Sequence, residues 1–250
     1  MANKNTTRNR AFAATANGGV VTTAATFERR SVSTSAFSVD EDIPILPDRP
    51  FVQQVLERLF AATVLIISSP LLVALAIIIK LDSPGPALFW QQRLGRGAKP
   101  FRFVKFRTLY ADARERWPEL YAYRYSPMEL DRLCFKVPND PRITPAGRWL
   151  RRSTLDELPN FFNVLTGDMA LVGPRPEIPE MLRYYEGSDR RKYSVRPGVT
   201  GPAQVGGRGR LSFRESVALD IRYVDQRSML TDFKIVLKTI KGVLKLDGAF

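Results

Sequence analysis

The longest uninterrupted apolar stretch of the chain covers residues 59–79, which include no charged side chain. Its length is about what an α-helix needs to cross the hydrocarbon core of a bilayer. Pro70 lies near its centre, where it removes a backbone donor and clashes with the carbonyl of Ile66, costing about 3 kcal/mol in a helix interior. Ser68 and Ser69 precede it, and serine hydroxyls bind carbonyls that a proline leaves free. The pattern predicts a membrane element interrupted at Pro70.

Basic residues flank this stretch on both sides: Arg49 and Arg58 before it, and Lys80, Arg93, Arg96 and Lys99 after it. The positive-inside rule therefore places the region that follows in the cytoplasm. The rule gives no strong reason to send the upstream end across the membrane. Two interpretations stay open from the residues alone. One is a helix–break–helix that dips into the membrane and returns, and the other is a kinked helix that spans it once.

After the membrane element the apolar residues alternate with polar ones. Residues 87–91 are strand-like, and residues 101–107 alternate apolar and basic side chains with a period of two, which predicts two short strands. Residues 109–134 predict helix, with Pro118 and Pro127 as interruptions. Their aromatic side chains suit either the headgroup level of a membrane or a protein core.

Near the C-terminus the helical period returns with two distinct faces. Lysines share one face, and apolar residues fill much of the other: Lys234, Lys238, Lys241 and Lys245 against Phe233, Val236, Leu237, Ile240, Val243 and Leu244. This pattern is typical of an interfacial amphipathic helix, and equally of a surface helix over a core. Residues 1–48 are rich in small polar residues without periodicity, so we expect a disordered cytoplasmic tail.

Composition narrows the chemistry further. Lysine and arginine number 38 against 25 aspartate and glutamate, a net charge of +13, which fits nucleic acid, anionic lipid or a phosphorylated substrate. The single cysteine excludes an intrachain disulfide. The absence of histidine excludes every mechanism that needs a histidine base or ligand. Catalysis must therefore use carboxylates, lysine, tyrosine or a metal with oxygen ligands such as Mg²⁺.

The first candidate site is the acidic pair Asp156–Glu157. A structural interpretation is available, because Thr154 and Glu157 match a capping box that opens a helix ending at Gly167. A functional interpretation uses Arg151, Arg152 and the helix N-terminus, which favour anions such as phosphate. Adjacent helix residues point about 100° apart, so one carboxylate can face a substrate while the other binds a metal or moves a proton. The arginines should also keep Asp156 ionised and nucleophilic.

The second candidate site lies downstream. Pro174 and Pro176 restrict the backbone around Arg175, whose planar guanidinium can bind two phosphate oxygens at once. A glycine-rich basic loop follows at residues 196–210 and includes Arg208. Glycines let backbone amides approach an anion closely, although such a loop is a weak signal when it stands alone.

Together with the Ser-Pro membrane segment, several short motifs occur in one order: Lys105-Phe106-Arg107-Thr108, Leu155-Asp156-Glu157-Leu158-Pro159, residues 163–169, residues 171–176 and residues 196–201. In this combination residues 49–248 resemble the bacterial sugar transferase family, the monotopic polyprenyl-phosphate phosphoglycosyl transferases. Members transfer a sugar-1-phosphate from a nucleotide diphosphate sugar to polyprenyl phosphate and release the nucleoside monophosphate.

The resemblance implies roles for particular residues. Asp156 would be the nucleophile that forms a phosphosugar-enzyme, and Glu157 would assist with Mg²⁺ and proton transfer, so both are catalytic and metal-binding candidates. By motif position we assign Arg151, Arg175 and Arg208 to the donor phosphates, together with Lys105 and Arg107. Ser69 and Pro70 would form the break of a re-entrant hairpin.

For the whole chain the resemblance implies an α/β, mainly helical fold of the family's small form. A compact cytoplasmic catalytic domain, residues 83–250, would follow a tail at 1–48 and a re-entrant membrane helix–break–helix at 49–82, with interfacial amphipathic helices. The expected location is the bacterial inner membrane with the N-terminus in the cytoplasm. Expected partners are a nucleotide-sugar donor such as a UDP-sugar, undecaprenyl phosphate and membrane lipids, but no nucleic acid. Self-association and downstream glycosyltransferases stay open.

Two positions depart from the family pattern. Leu109 stands where methionine is usual, and Pro202-Ala203 stands where members place a tryptophan at one of the two positions, which leaves donor preference open. Two rival hypotheses lack catalysis: a membrane-tethered basic protein that binds anions, and an inactive scaffold in glycan assembly.

Overall fold

The computed structural model describes residues 43–134, 139–207 and 210–244. Helices predominate in this part of the chain, with two small sheets, as the expected mainly helical α/β class requires. The helices are α1 Phe51–Asp82, α2 Ala113–Arg116, α3 Pro127–Arg132, α4 Pro145–Ser153, α5 Phe161–Thr166, α6 Pro202–Gly207, α7 Phe213–Gln226 and α8 Met229–Leu244. Turns of 3-10 helix lie at Arg96–Ala98, Pro118–Tyr121, Leu155–Asn160, Pro179–Tyr184 and Gly187–Ser194.

The sheets are short. Strands β1 Leu88–Leu94 and β2 Pro100–Phe106 pair antiparallel, with Leu88 opposite Phe106 and Leu94 opposite Pro100. This hairpin confirms the two predicted strands. Strands β3 Ala170–Val172 and β4 Gly198–Thr200 pair in parallel.

Helix α1 contains the predicted membrane stretch. Among the described residues it is the one helix long and apolar enough to cross a bilayer. It runs through Pro70 as a single element of 32 residues, so the predicted division into two helices is not seen. The predicted serine repair is confirmed, because Ser69 Oγ donates to Ile66 O at 2.8 Å and Ser68 Oγ donates to Val64 O at 2.6 Å. These bonds satisfy carbonyls around the proline and help the helix continue.

Both halves of α1 pack against the rest of the molecule. In the first half Ala61 is fully buried and clusters with Phe103 and Val164. In the second half Leu75 and Ile79 are buried against a cluster that includes Phe106, Leu150 and Leu155. Between them the side chains of Ile66 and Ile67 are more than two thirds exposed, at 71% and 75%. The helix is therefore held at both halves and leaves its middle free.

The helical stretch predicted over residues 109–134, with interruptions at Pro118 and Pro127, forms as short separate pieces. Only α2, a 3-10 turn and the six-residue α3 occur there. Pro118 and Pro127 begin the second and third of these pieces, where a missing N–H is tolerated. The interruptions were therefore predicted correctly, but the segments between them are too short for a continuous helix.

The described segment before α1, residues 43–50, has no regular secondary structure but contacts the rest of the molecule. Asp48 accepts hydrogen bonds from Arg96 and Arg196, and the Leu46 amide donates to Ser194 O at 3.2 Å. Residues 43–48, which were expected to belong to the tail, thus make specific contacts. Residues 1–42 lie outside the described part, as does Lys245 of the predicted lysine face.

Helix α8 buries one side and exposes the other. Ile235 is buried beside Val172 and Tyr223, whereas the exposed side chains are apolar: Met229, Leu230, Phe233, Leu237, Ile240 and Val243. A surface helix over a core would turn such residues inward. The exposed apolar face therefore favours the interfacial interpretation of this helix.

Candidate active site

The acidic pair lies on a short 3-10 turn between α4 and α5. Thr154 ends α4 in a left-handed conformation with φ of 58°, and its hydroxyl donates to Ser153 O rather than accepting from an amide. The capping-box interpretation of Thr154 and Glu157 is therefore wrong. The turn that follows places Asp156 inside the molecule, at 6% exposure. The prediction that Gly167 ends the following helix is confirmed, since Gly167 is its C-cap at φ 88°.

Strand β2 supplies the cation that faces Asp156. Lys105 Nζ lies 4.0 Å from Asp156 Oδ2, and both side chains are largely withdrawn from solvent. Burial raises the pKa of Asp156 to about 6, because the nearby charge of Lys105 offsets desolvation only in part and Glu157 adds to the rise. Burial likewise lowers the pKa of Lys105 to about 8. As expected, the charges of the cations favour ionised Asp156. Desolvation is the larger effect, however, so the pKa of Asp156 is raised.

Glu157 is paired with the proline-flanked arginine. Arg175 donates from both Nη1 and Nη2 to Glu157 Oε1, each at 3.1 Å. The charge of Glu157 is the main reason that the pKa of Arg175 is raised. The pair is partly exposed, so solvent can reach it. Arg175 therefore lies beside the acidic pair.

Arg151 approaches the site from α4. Its Nε donates to Thr108 Oγ1 at 2.9 Å. The approach is close because a Cβ at Gly147 would lie 2.1 Å from Thr108 O, so only glycine lets α4 pack this tightly on the end of β2. Burial lowers the pKa of Arg151, while the charges of Asp156 and Asp140 act in the opposite direction. Arg151 therefore lies within electrostatic reach of Asp156.

One other predicted residue is not brought to this cluster. The guanidinium of Arg107, at 4% exposure, instead donates to backbone carbonyls at the end of α1 and in the loop after it. Arg208 lies outside the described residues. Ser69 and Pro70 are in the middle of α1, as expected for residues of the membrane segment.

Arg93 is a further residue of the site that the motifs did not indicate. Its Nη1 donates to Pro176 O at 3.1 Å and lies 3.8 Å from Glu177 Oε1, so it holds the chain just after Arg175. Strand pairing places Phe89 opposite Lys105, and Arg93 lies on the same face of the hairpin as both. Sequence patterns near Arg93 do not reveal this contact, because Pro176 lies 83 residues further along the chain.

A divalent cation would find two adjacent carboxylates here. Within residues 43–134, 139–207 and 210–244 no group of three or more acidic or thiol ligands is assembled. Mg²⁺ is commonly bound by one or two carboxylates together with substrate phosphates. Asp156 and Glu157 therefore fit a Mg²⁺ ion that arrives with a phosphorylated substrate, but they do not form a complete protein cage.

Comparison with known proteins places this site in a family. The family model for bacterial sugar transferases matches residues 49–246. The galactosyl transferase CpsE of Streptococcus agalactiae serotype III (strain NEM316) is 42% identical over 166 residues, which are 66% of this chain and 36% of that protein. The undecaprenyl-phosphate galactose phosphotransferase of Salmonella typhimurium strain LT2 is 39% identical over 203 residues, which are 80% of this chain and 42% of that protein.

A third relative matches over more of its own length. The UDP-glucose:undecaprenyl-phosphate glucose-1-phosphate transferase of Caulobacter vibrioides is 40% identical over 206 residues, covering 79% of this chain and 72% of that protein. The chain spans only 36% and 42% of the first two relatives. It belongs to the bacterial sugar transferase family.

Proposed function

We propose that this protein is a phosphoglycosyl transferase that moves a sugar-1-phosphate from a nucleotide diphosphate sugar to undecaprenyl phosphate. The observation that carries the proposal is the buried Asp156 carboxylate facing Lys105, beside the Glu157–Arg175 pair, in a member of this family. The names of two relatives, an undecaprenyl-phosphate galactose phosphotransferase and a UDP-glucose:undecaprenyl-phosphate glucose-1-phosphate transferase, support the acceptor, and the second supports a UDP-sugar donor. The reaction would begin assembly of an exopolysaccharide or related glycan.

The proposed chemistry has two displacements at one phosphorus. Asp156 Oδ attacks the sugar-proximal phosphorus, the bond to the nucleoside monophosphate oxygen breaks, and the monophosphate leaves. An oxygen of undecaprenyl phosphate then attacks the phosphosugar-enzyme and frees the Asp156 carboxylate. Because phosphoryl transfer depends mostly on positioning and charge neutralisation, Lys105, Arg151 and Arg175 suit the negative oxygens of this donor. The two-step route lets a soluble donor and a lipid acceptor use one site in turn.

Arg175 and Glu157 have a specific part in this scheme. Both terminal guanidinium nitrogens of Arg175 are bonded to Glu157. A donor diphosphate offers Arg175 a second anion, and an exchange of partners would free Glu157 for a proton or a metal. Asp156 and Glu157 would hold Mg²⁺ together with the donor phosphates. When bound, the ion would neutralise phosphate charge and polarise the phosphorus under attack.

The proposed membrane topology is a re-entrant hairpin with both ends of α1 in the cytoplasm. A straight helix of this length would be about 48 Å long, more than enough to cross the bilayer. However, Ala61 and Ile79 both pack against the domain that contains the site. A spanning helix would place one of these contacts on the far side of the membrane from the other. A bend at Pro70 that inserts only the exposed middle avoids this conflict. The protein would act at the bacterial inner membrane, with α8 on its cytoplasmic surface.

Release of nucleoside monophosphate tests the proposal. Purified protein in lipid particles is mixed with Mg²⁺, undecaprenyl phosphate and each of a panel of UDP-sugars. We expect release with one donor, and a loss of at least a thousandfold in Asp156→Asn, because the amide cannot act as the nucleophile. Asp131→Asn is the matched control, since Asp131 is exposed and its ion pair is with Arg214. Wild-type turnover in Asp156→Asn would contradict the covalent route.

A further inference from the structure

The motif at the end of β2 connects several parts of the molecule. Lys105 pairs with Asp156, Phe106 is buried in a cluster with α1 and α4, and Thr108 accepts from Arg151. Three of the four residues of this motif are thus accounted for at or near the site. Arg107, the remaining residue, has a different environment.

The guanidinium of Arg107 donates four hydrogen bonds to backbone carbonyls. Nε donates to Pro86 O at 2.7 Å, Nη1 to Pro84 O at 2.8 Å, and Nη2 to Ser83 O at 2.7 Å and Ile79 O at 3.3 Å. Ser83 is the C-cap residue of α1, and Ile79 O, which also accepts from the Ser83 amide, lies in the last turn at the negative end of the helix dipole. A planar guanidinium with several diverging donors is suited to binding such a group of oxygens. Arg107 therefore fastens the end of α1 to the end of β2.

The end of α1 that Arg107 holds packs against the sequence neighbours of Lys105 and Asp156. Leu75 and Ile79 pack in one cluster with Phe106, the neighbour of Lys105, and with Leu155, the neighbour of Asp156. A shift of the second half of α1 would therefore disturb its packing against both Phe106 and Leu155. Because protein interiors are close-packed, such a displacement is transmitted rather than absorbed.

We propose that Arg107 is a positioning residue that fixes the second half of α1 against the Lys105–Asp156 pair and thereby governs transfer to the lipid acceptor. The inference rests on the proposed function. A soluble donor reaches Asp156 from the aqueous side and needs only the cations around it. The acceptor phosphate is presented by the bilayer in which α1 lies, so its approach depends on how α1 is placed relative to β2. Arg107 sets that placement without contacting either substrate.

The test separates the two half-reactions in Arg107→Lys. Lysine keeps the charge but cannot satisfy this group of carbonyls at once. Without acceptor, the burst of nucleoside monophosphate reports attack by Asp156, and we expect it within about twofold of wild type. With undecaprenyl phosphate, we expect turnover to fall on the order of 10- to 100-fold, the size expected of a misplacement of about 1 Å. Arg102→Lys is the matched control, because Arg102 is exposed on the same strand and stacks on Trp90 at 4.8 Å.

Amide hydrogen exchange supplies a readout that does not depend on turnover. Residues 77–86 should exchange faster in Arg107→Lys, with α7 unchanged. Equal losses in both half-reactions, or a loss of the burst alone, would overturn the proposal, the latter because it would make Arg107 a donor-binding residue. Unchanged exchange at residues 77–86 would also overturn it. If wild-type protein releases no monophosphate, the proposed function fails, and the exchange result decides the anchoring role separately.

A second variant covers the case in which Arg107→Lys does not fold. Gly85 has φ of +119°, and a Cβ there would lie 3.4 Å from Arg107 Nη1 and 2.9 Å from Ala111 Cβ. Gly85→Ala therefore strains the loop whose Pro84 and Pro86 carbonyls bind Arg107, through its positive φ and its contact with Ala111, while leaving Arg107 in the chain. We expect the same selective loss of acceptor-dependent turnover. A Gly85→Ala protein that folds and transfers to the acceptor at the wild-type rate would contradict the proposal.

Discussion

At Asp156, burial and neighbouring cations act in opposite directions on one carboxyl group. Removal from water disfavours the charged form, and Lys105 and Arg151 favour it. Burial dominates, so the pKa is raised to about 6, and the group is still mostly ionised at neutral pH. A buried carboxylate that is poorly hydrated and loosely paired, with Lys105 Nζ at 4.0 Å, remains available to attack an electrophile.

The raised pKa has a consequence for stability that Asp156→Asn isolates. Because the folded state holds this proton more tightly than the unfolded state, its stabilising contribution is complete below pH 3.8 and is lost as the pH rises through about 6. The full effect is on the order of 3 kcal/mol, at about 1.4 kcal/mol for each pKa unit. We therefore expect wild type to lose stability relative to Asp156→Asn between pH 4 and pH 7.

Thermal unfolding in detergent at several pH values measures this difference. Asp131→Asn again serves as the control, since Asp131 is largely exposed and its replacement should leave the pH dependence unchanged. Parallel pH profiles for wild type and Asp156→Asn would show that the Asp156 pKa is not raised in the folded protein.

At the residue scale the sequence located the acidic pair and Arg175 but misjudged their surroundings. Motif order identified these residues, whereas the turn that carries them depends on the left-handed Thr154, which a capping-box pattern does not reveal. Lys105 and Arg107 belong to one motif, yet β2 ends at Phe106, so Lys105 faces Asp156 from the strand whereas Arg107, just beyond it, bonds to carbonyls at the end of α1. Arg93 was missed because its partners lie about eighty residues away along the chain.

Helix α1 shows the same limit at the scale of an element. Its apolar content and its serine–carbonyl bonds were predictable from local sequence. Its continuity through Pro70 was not, because the cost of a proline is balanced by contacts in both halves that only the tertiary structure provides. The exposed middle between two packed halves was likewise invisible in the uniform apolar pattern.

The re-entrant topology predicts from which side of the membrane the regions before and after α1 can be labelled. With a membrane-impermeant maleimide, native Cys134 reports the catalytic domain, since its side chain is exposed. Asn5→Cys, in a Cys134→Ser background, reports the upstream end. We expect both thiols to be protected in intact cells and labelled after the inner membrane is permeabilised.

Pro70→Ala is the matched variant for this topology. Without the proline the helix regains a backbone hydrogen bond and loses a steric kink, so a fraction of the chains should span the membrane. That fraction should label at residue 5 from outside. Labelling of residue 5 from outside in the protein with Pro70 intact would contradict the re-entrant topology. Full protection in both proteins would show that Pro70 does not determine it.

At the scale of the whole molecule, charge and hydrophobicity act together. The net charge of +13 includes the cations gathered at the site, and the exposed apolar residues of α1 and α8 provide a surface suited to lipid. From composition alone, nucleic acid, anionic lipid and phosphorylated substrates were equally good candidates to bind this positive charge. The positions of Lys105, Arg151 and Arg175 around a carboxylate favour a phosphorylated substrate, and the membership of the family agrees with it.

The most direct test of this account is the intact mass of the protein after brief mixing with its donor and Mg²⁺ in the absence of acceptor. The account predicts an increase equal to one sugar phosphate, located on the peptide that contains Asp156. The added mass should be absent in Asp156→Asn and should disappear from wild type when undecaprenyl phosphate is supplied. Steady formation of the lipid-linked product by a protein that never gains this mass, at any time after mixing, would contradict the covalent mechanism.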